Sequence, residues 1–272
     1  MEINASEVND MQPIMHQHTV YIPMRALEHI EGLHIQSWNN QTKILIITDQ
    51  YTNKQLTLNL KNHTALQQNK PLAMNQTALL QDNRVMLPVR WIAEVFQADI
   101  VWNSSTHTVQ IARATAAQQH KRKSDQLSEA RAAALALPIV SPYQDLPVTG
   151  DSLGSISLYF YEGRSDAFFI TGNGMLTYFT VTDNASHIQY EASFKSVGSN
   201  PNPYATAILQ QQGKRPSLPD HLIYYDISTH AGEAEYGRLD RNGKRVVFGK
   251  GEMNNLDTLL PIEQDSQPHT SQ

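Results

Sequence analysis

Residues 84–111, RVMLPVRWIAEVFQADIVWNSSTHTVQI, change their hydrophobic period twice. Val85, Met86 and Leu87 form a short apolar run, and Pro88 suits a first helical turn, where its missing N–H is no loss. Ile92, Val95 and Phe96 then fall at i, i+3 and i+4, the apolar stripe of a helix. From Asp99 the pattern alternates, with Ile100 and Trp102 on one side of a strand. The polar run Asn103–Thr106 is turn material, and Val109 and Ile111 share a face of the return strand. The stretch thus reads as strand, helix, hairpin.

The same order occurs earlier, in VYIPMRALEHIEGLHIQSWNNQTKILII, residues 20–47. Pro23 matches Pro88, Arg25 matches Arg90, Trp38 matches Trp102 and Asn39 matches Asn103, with one extra residue between Arg and Trp in the earlier copy. Leu27 and Ile30 supply the helix stripe, and Ile44 and Ile46 the return strand. An internal repeat is therefore the first organising feature of the chain. Its prolines, arginines and tryptophans read as structural motif residues. Arg25 and Arg90 are unusual, because a cation in a first helical turn opposes the helix dipole by about 0.3–1 kcal/mol. A carboxylate or carbonyl partner tying helix to sheet would offset this; a bound anion or glycan is the other reading. Trp38 and Trp102 alternate with core positions and read as packed residues rather than ligand platforms.

Residues 10–112 resemble the copper amine oxidase N-terminal-like domain, also called the stalk domain. The resemblance rests on the apolar-Pro-apolar-Arg step, Ala93-Glu94 in the helix, Trp102-Asn103 and the closing Thr108-Val109-x-Ile111, after the lead-in TALQQNKPLAMNQTALLQDNR, residues 64–84. The earlier copy has Glu28-His29 in place of Ala-Glu. The resemblance implies an antiparallel sheet wrapped on helices, in a secreted or surface-attached bacterial protein. It implies no oxidase activity: that chemistry needs a separate domain with an Asn-Tyr-Asp/Glu-Tyr cofactor site and copper histidines, and the tetrapeptide is absent here. No catalytic residue, metal or cofactor is assigned.

The 272 residues suit about two domains. A net charge of −5 argues against nucleic-acid partners. The absence of cysteine removes disulfides and thiol catalysis. No apolar run is long enough to span a membrane. The first residues, MEINASEVND, lack a basic start and an apolar stretch, so an extracellular or cell-envelope location implies a signal peptide already removed. All three tryptophans precede residue 113, whereas nine of the eleven tyrosines follow residue 142. That shift predicts a stalk-like domain over 1–113, a helical linker over 114–140, a β-rich domain over 141–262 and a disordered tail over 263–272. The fold class is α+β. The second domain is expected as a mainly antiparallel sandwich or small barrel, with hairpins at Asn173-Gly174 and Asn242-Gly243. The resemblance leaves this domain unassigned.

Several chemistry-bearing residues lie in the second half. Ser152 sits in GDSL, residues 150–153, the opening of a serine-esterase signature. A nucleophilic serine needs a positioned base, and the esterase pattern adds a later Asp-x-x-His block. No such block follows, and Ser152 precedes a strand-like run, so the stretch reads as a turn. Glu233 and Glu235 share a strand face as solvated carboxylates. His221, Asp226 and His230 fit no zinc spacing. Met11, Met15, His16 and His18 suit copper in kind, with His16 and His18 on one strand face, but do not close a site. In LYFY, Leu158 and Phe160 face one way and Tyr159 and Tyr161 the other, where Tyr178 and Tyr224 could join a ligand face or a second core layer. The expectation is a non-catalytic, exported envelope protein of a Gram-positive bacterium that binds or scaffolds a cell-wall polymer or surface protein. A hydrolase with its site in the C-terminal domain and a copper-handling protein are the competing readings.

Overall fold

The computed structural model describes residues 1–4, 6–7, 11–147, 155–194, 202–228, 231–253, 256 and 259–260. It is mostly β, with several antiparallel sheets. Two compact units divide it: Met1–Ala116 with Pro138–Val140, and Ala117–Leu137 with Ser141–Gln272.

In the first unit, strands β1 (Glu2–Ile3), β2 (Ser6–Glu7), β3 (Ile14–His16) and β4 (Thr19–Pro23) lead into a 3₁₀ helix, Met24–His29. A five-strand meander follows: β5 (Leu33–Asn39), β6 (Ile44–Asp49), β7 (Lys54–Asn59), β8 (Thr64–Gln67) and β9 (Lys70–Leu72). Then come β10 (Leu79–Gln81), β11 (Arg84–Pro88), helix α1 (Val89–Phe96), β12 (Asp99–Asn103) and β13 (Thr108–Ala112). Strands β4 and β11 pair antiparallel, with Ile22 directly opposite Leu87. Strand β1 lies parallel beside β13, Ile3 opposite Ile111, so residues ahead of the stretch that carries the resemblance also pair with it. A two-residue strand leaves no periodicity for the sequence to reveal. Ile22, Leu45, Ile47, Leu87, Ile92 and Ile111 are among the buried residues of one core.

One turn design recurs through this unit. Asn39 Oδ1 accepts hydrogen bonds from the N–H groups of Gln41 (2.9 Å) and Thr42 (3.0 Å), and Asn103 Oδ1 from those of Ser105 (3.0 Å) and Thr106 (3.1 Å). Asn59 Oδ1 repeats it with Lys61 (3.0 Å) and Asn62 (3.4 Å). Four residues after each asparagine the chain turns left-handed: Lys43 at φ 57°, His63 at 56°, His107 at 54°. Asparagine suits such turns because its side chain satisfies the backbone donors that the turn frees. Leu45 and Ile47 are fully buried, in the places that match the buried Val109 and Ile111, while Ile44 and Ile46, the expected core pair, are half-buried. The tighter turns at Gln17-His18, Gln68-Asn69 and Asp82-Asn83 carry positive φ at both central residues, as two-residue hairpins require.

The stretch 114–140 holds helices α2 (Ala116–Arg122) and α3 (Leu127–Leu135) and a two-residue strand, β14 (Ile139–Val140). Helix α3 is part of a core rather than a free connector. Ala132 and Ala134 pack with Phe160, Phe168 and Phe179 of the second unit. Arg131 is 1% exposed, donates from Nε to the carbonyl of Arg164 (3.0 Å) and from Nη2 to that of Tyr161 (3.0 Å), and lies over the Phe160 ring at 4.9 Å.

The remaining strands are β15 (Ser155–Tyr161), β16 (Ala167–Gly172), β17 (Met175–Val181), β18 (Ser186–Phe194), β19 (Ile208–Gly213), β20 (His221–Ser228), β21 (Glu233–Asp240) and β22 (Arg245–Glu252). They pair in the order β18-β17-β16-β15-β20-β21-β22, with β19 on β18. The expected hairpin at Asn173-Gly174 forms with both residues at positive φ and Gly172 opposite Met175. The turn at Asn242-Gly243 also forms, capped by Asp240 Oδ1, which accepts from the N–H groups of Asn242 (2.9 Å) and Lys244 (2.8 Å). Where a sandwich or a small barrel was expected, the described strands pair into one antiparallel sheet, and the structure includes a half-barrel. Apolar residues cover both its faces. Leu158 and Phe160 enter the cluster with α3, and Tyr159, Phe169, Tyr190 and Tyr224 enter another.

Candidate functional site: a groove beside Trp102

The residues that match between the two repeat segments differ in their surroundings. Trp38 is half-buried against the core, with Lys43 Nζ 5.9 Å from its ring centre. Trp102 is 39% exposed, with the His107 ring edge-on at 6.2 Å. In each case the left-handed turn residue sits on the tryptophan five positions before it. The third tryptophan, Trp91, is buried and donates from Nε1 to the Ala73 carbonyl (2.9 Å). Arg25 and Arg90 are both exposed, and neither makes a hydrogen bond or ion pair among the described residues. The expected partner tying helix to sheet is therefore not there.

Arg90 and Trp102 line one groove of about 200 Å³, together with Thr19, Val20, Gln76 and Ile100 among others. Strand β12 presents the indole, the first turn of α1 presents the guanidinium, and the start of β4 closes the side. Gln76 Nε2 donates to Thr19 Oγ1 at 2.5 Å, fixing the amide at the wall. His18 also lines the groove, because Gln17-His18 is a two-residue turn. That turn corrects the expected His16–His18 strand face: the strand ends at His16, and His18 points elsewhere. Among the described residues no three His, Cys, Asp or Glu gather as a metal would need.

A buried ion pair escaped the sequence reading. Arg113 donates from Nη2 to Asp49 Oδ2 (2.8 Å), from Nη1 to Asp49 Oδ1 (3.2 Å) and from Nη1 to the Glu31 carbonyl (2.9 Å). Both side chains are nearly fully buried, and the guanidinium lies 5.3 Å from the Tyr51 ring centre. Burial alone would raise the Asp49 carboxyl; hydrogen bonds from Arg113, Thr52 and the Tyr51 N–H outweigh it, leaving a net pKa below the ordinary value. The only signal in the sequence was positional: Asp49 and Arg113 occupy matching places at the ends of the two return strands.

In the second unit, Ser152 and His230 lie outside the described residues, as does the tail 263–272. Glu235 is held as a carboxylate below its usual pKa, chiefly by Lys250 at 3.1 Å. Asp226 pairs with Arg245, while His221 sits at the far end of the same strand, opposite Asp240. Asp226 stands directly opposite Glu235 on the neighbouring strand, each carboxylate in its own ion pair, while His221 lies apart from both. Tyr159 and Tyr224 stand opposite each other on neighbouring strands and are 0% exposed, so they form an interior layer and present nothing to a ligand. Tyr161 and Tyr178 are half-buried and edge-on at 6.5 Å. Thr171, Ser157, Asp226, Glu235 and Lys250 make a polar row across five strands beside that layer. Burial pushes the Tyr159 hydroxyl up to about 12.

Residues 2–111 match the family model described as the copper amine oxidase N-terminal domain, and this part of the chain is a copper amine oxidase N-terminal-like domain. No curated protein and no solved structure matches the chain.

Proposed function

We propose that the chain is a non-catalytic, exported protein of a Gram-positive cell envelope that binds or scaffolds a cell-wall polymer or surface protein. One observation carries the reading: an exposed indole and an unpartnered guanidinium share a groove, beside an amide already fixed by its neighbour. Such sets of a few polar groups on an apolar wall serve binding, since they fix a ligand's orientation. The matched domain is compatible with a role outside catalysis. Asp226 and Glu235 of the second unit are neighbours, but each is held in an ion pair and His221 lies apart from them, which favours a scaffold over a hydrolase there.

The N-terminal domain is read as two copies of one packing unit meeting about a local pseudo-twofold. Ile22 and Leu87 are matching residues that stand opposite each other, and Asp49 and Arg113 are matching residues that pair. Co-sedimentation of the full chain with purified cell-wall sacculi tests the binding role. Retention in the pellet, lost in Trp102→Ala and kept in Trp38→Ala, is expected; no retention, or equal loss in both variants, removes it. Fractionation of the source cells tests the location.

A further inference from the structure

We propose that the groove beside Trp102 recognises an acidic sugar, a single pyranose carrying a carboxylate. The inference rests on the binding reading above and names its ligand class. Size comes first. At about 200 Å³ the groove is below the roughly 300–1,000 Å³ of sites that enclose drug-sized ligands, so it suits one ring rather than a chain segment. Wall chemistry comes second. Val20, Ile100 and the 39%-exposed Trp102 give an apolar platform, while Thr19, Gln76 and His18 give hydrogen-bonding groups on the same rim. A pyranose matches this division: its C–H face stacks on an indole and its hydroxyls reach the polar edge. Charge comes third. Among the described residues no carboxylate lines the groove, and Arg90, the one permanent cation among them, has no protein partner there. A planar guanidinium fork fits a planar carboxylate with two parallel hydrogen bonds, and one cation balances one charge. Arg25 has the matching place in the earlier segment, but the tryptophan of that segment, Trp38, is half-buried with Lys43 over its ring.

The test titrates the full-length protein with oligogalacturonate, N-acetylmuramic acid, neutral chitotriose and a polyglycerol phosphate, followed by tryptophan fluorescence and calorimetry. Both carboxylated sugars, or one of them, are expected to bind at least tenfold more tightly than chitotriose at low salt, and which one does so identifies the source of the ligand. Arg90→Gln is expected to bring the acidic probes down to the neutral level, Arg90→Lys to restore part of the difference, Arg25→Gln to change nothing and Trp102→Ala to weaken all sugars. Raising the salt should shrink the acidic preference. Equal affinity for acidic and neutral sugars, an unchanged preference in Arg90→Gln, or tighter binding of polyglycerol phosphate would overturn the assignment. If the protein still sediments with sacculi through Trp102 in that case, the binding reading survives without this ligand. Sugar binding without sedimentation has the opposite meaning: the ligand class stands and the envelope role falls.

Discussion

The segments 20–47 and 85–111 share the order of their key residues and end in different states. Both run from a strand through a proline into a helical turn and out through an asparagine-capped hairpin. In the later segment the turn is an α-helix closed by Gln97 in the left-handed conformation, whose N–H reaches the Ala93 and Glu94 carbonyls. In the earlier segment it stays 3₁₀ and the chain leaves through Gly32 at φ 76°. A side chain at Gly32 would meet the Tyr51 ring at 2.9 Å, so the glycine is needed for space as well as for its dihedral. The tryptophans also differ: Trp38 is half-buried with Lys43 over its ring, and Trp102 is 39% exposed with the His107 ring beside it. The shared residues set the hairpin, while the connection between helix and strand differs between the two segments.

That comparison can be broken first at the clasp. Asp49→Ala or Arg113→Ala is expected to cost about 3–5 kcal/mol in urea unfolding, because each leaves a buried charge alone. A paired replacement by leucines should recover most of the loss, which separates the uncompensated charge from simple misfolding. The pH dependence follows in sign. The Asp49 pKa is lowered on folding, so its contribution is present above the ordinary value of 3.8 and fades as the pH falls through the folded value. Asp49→Asn should flatten the acid limb of the stability profile.

A smaller effect is expected at the centre of the pairing. Ile22→Ala and Leu87→Ala should each cost about 2–5 kcal/mol, and by similar amounts, since both are fully buried and face each other. A difference beyond about 2 kcal/mol would mean that the two segments are not equivalent in energy. Next come the turn asparagines. Asn39→Ala and Asn103→Ala should each lower stability by about 0.5–1.5 kcal/mol, as expected for lost side-chain hydrogen bonds. Smallest of all, Lys43→Gly and His107→Gly should stay within about 1 kcal/mol of the parent, because relief of the left-handed backbone opposes the added chain entropy of glycine. Thermal melts of both pairs give the sharpest reading of whether the two hairpins carry equal strain.

Local chemistry made the hairpins legible. Asn173-Gly174 and Asn103–Thr106 show their turns in their letters, and the LYFY alternation of residues 158–161 separates the two sheet faces correctly. What the letters hid is long-range. Asp49 and Arg113 are 64 residues apart and show no motif at either place. Arg131 sits in an alanine-rich run that reads as a helical linker, yet its partners are carbonyls some thirty residues on. The core positions of the earlier return strand were legible only through the repeat: Leu45 and Ile47, not Ile44 and Ile46, match the buried Val109 and Ile111. The groove was half legible: its arginine and tryptophan were singled out, but His18 and Gln76 join them only through a turn and a loop.

The placement of α3 has a practical corollary for anyone cutting this protein in two. A fragment beginning at Ser141, where composition suggests a boundary, would leave behind Ala132, Ala134 and Arg131 and bare the Phe160, Phe168 and Phe179 surface to water. Such a piece is a candidate for inclusion bodies. A start near Ala117 keeps the helix with the sheet it covers.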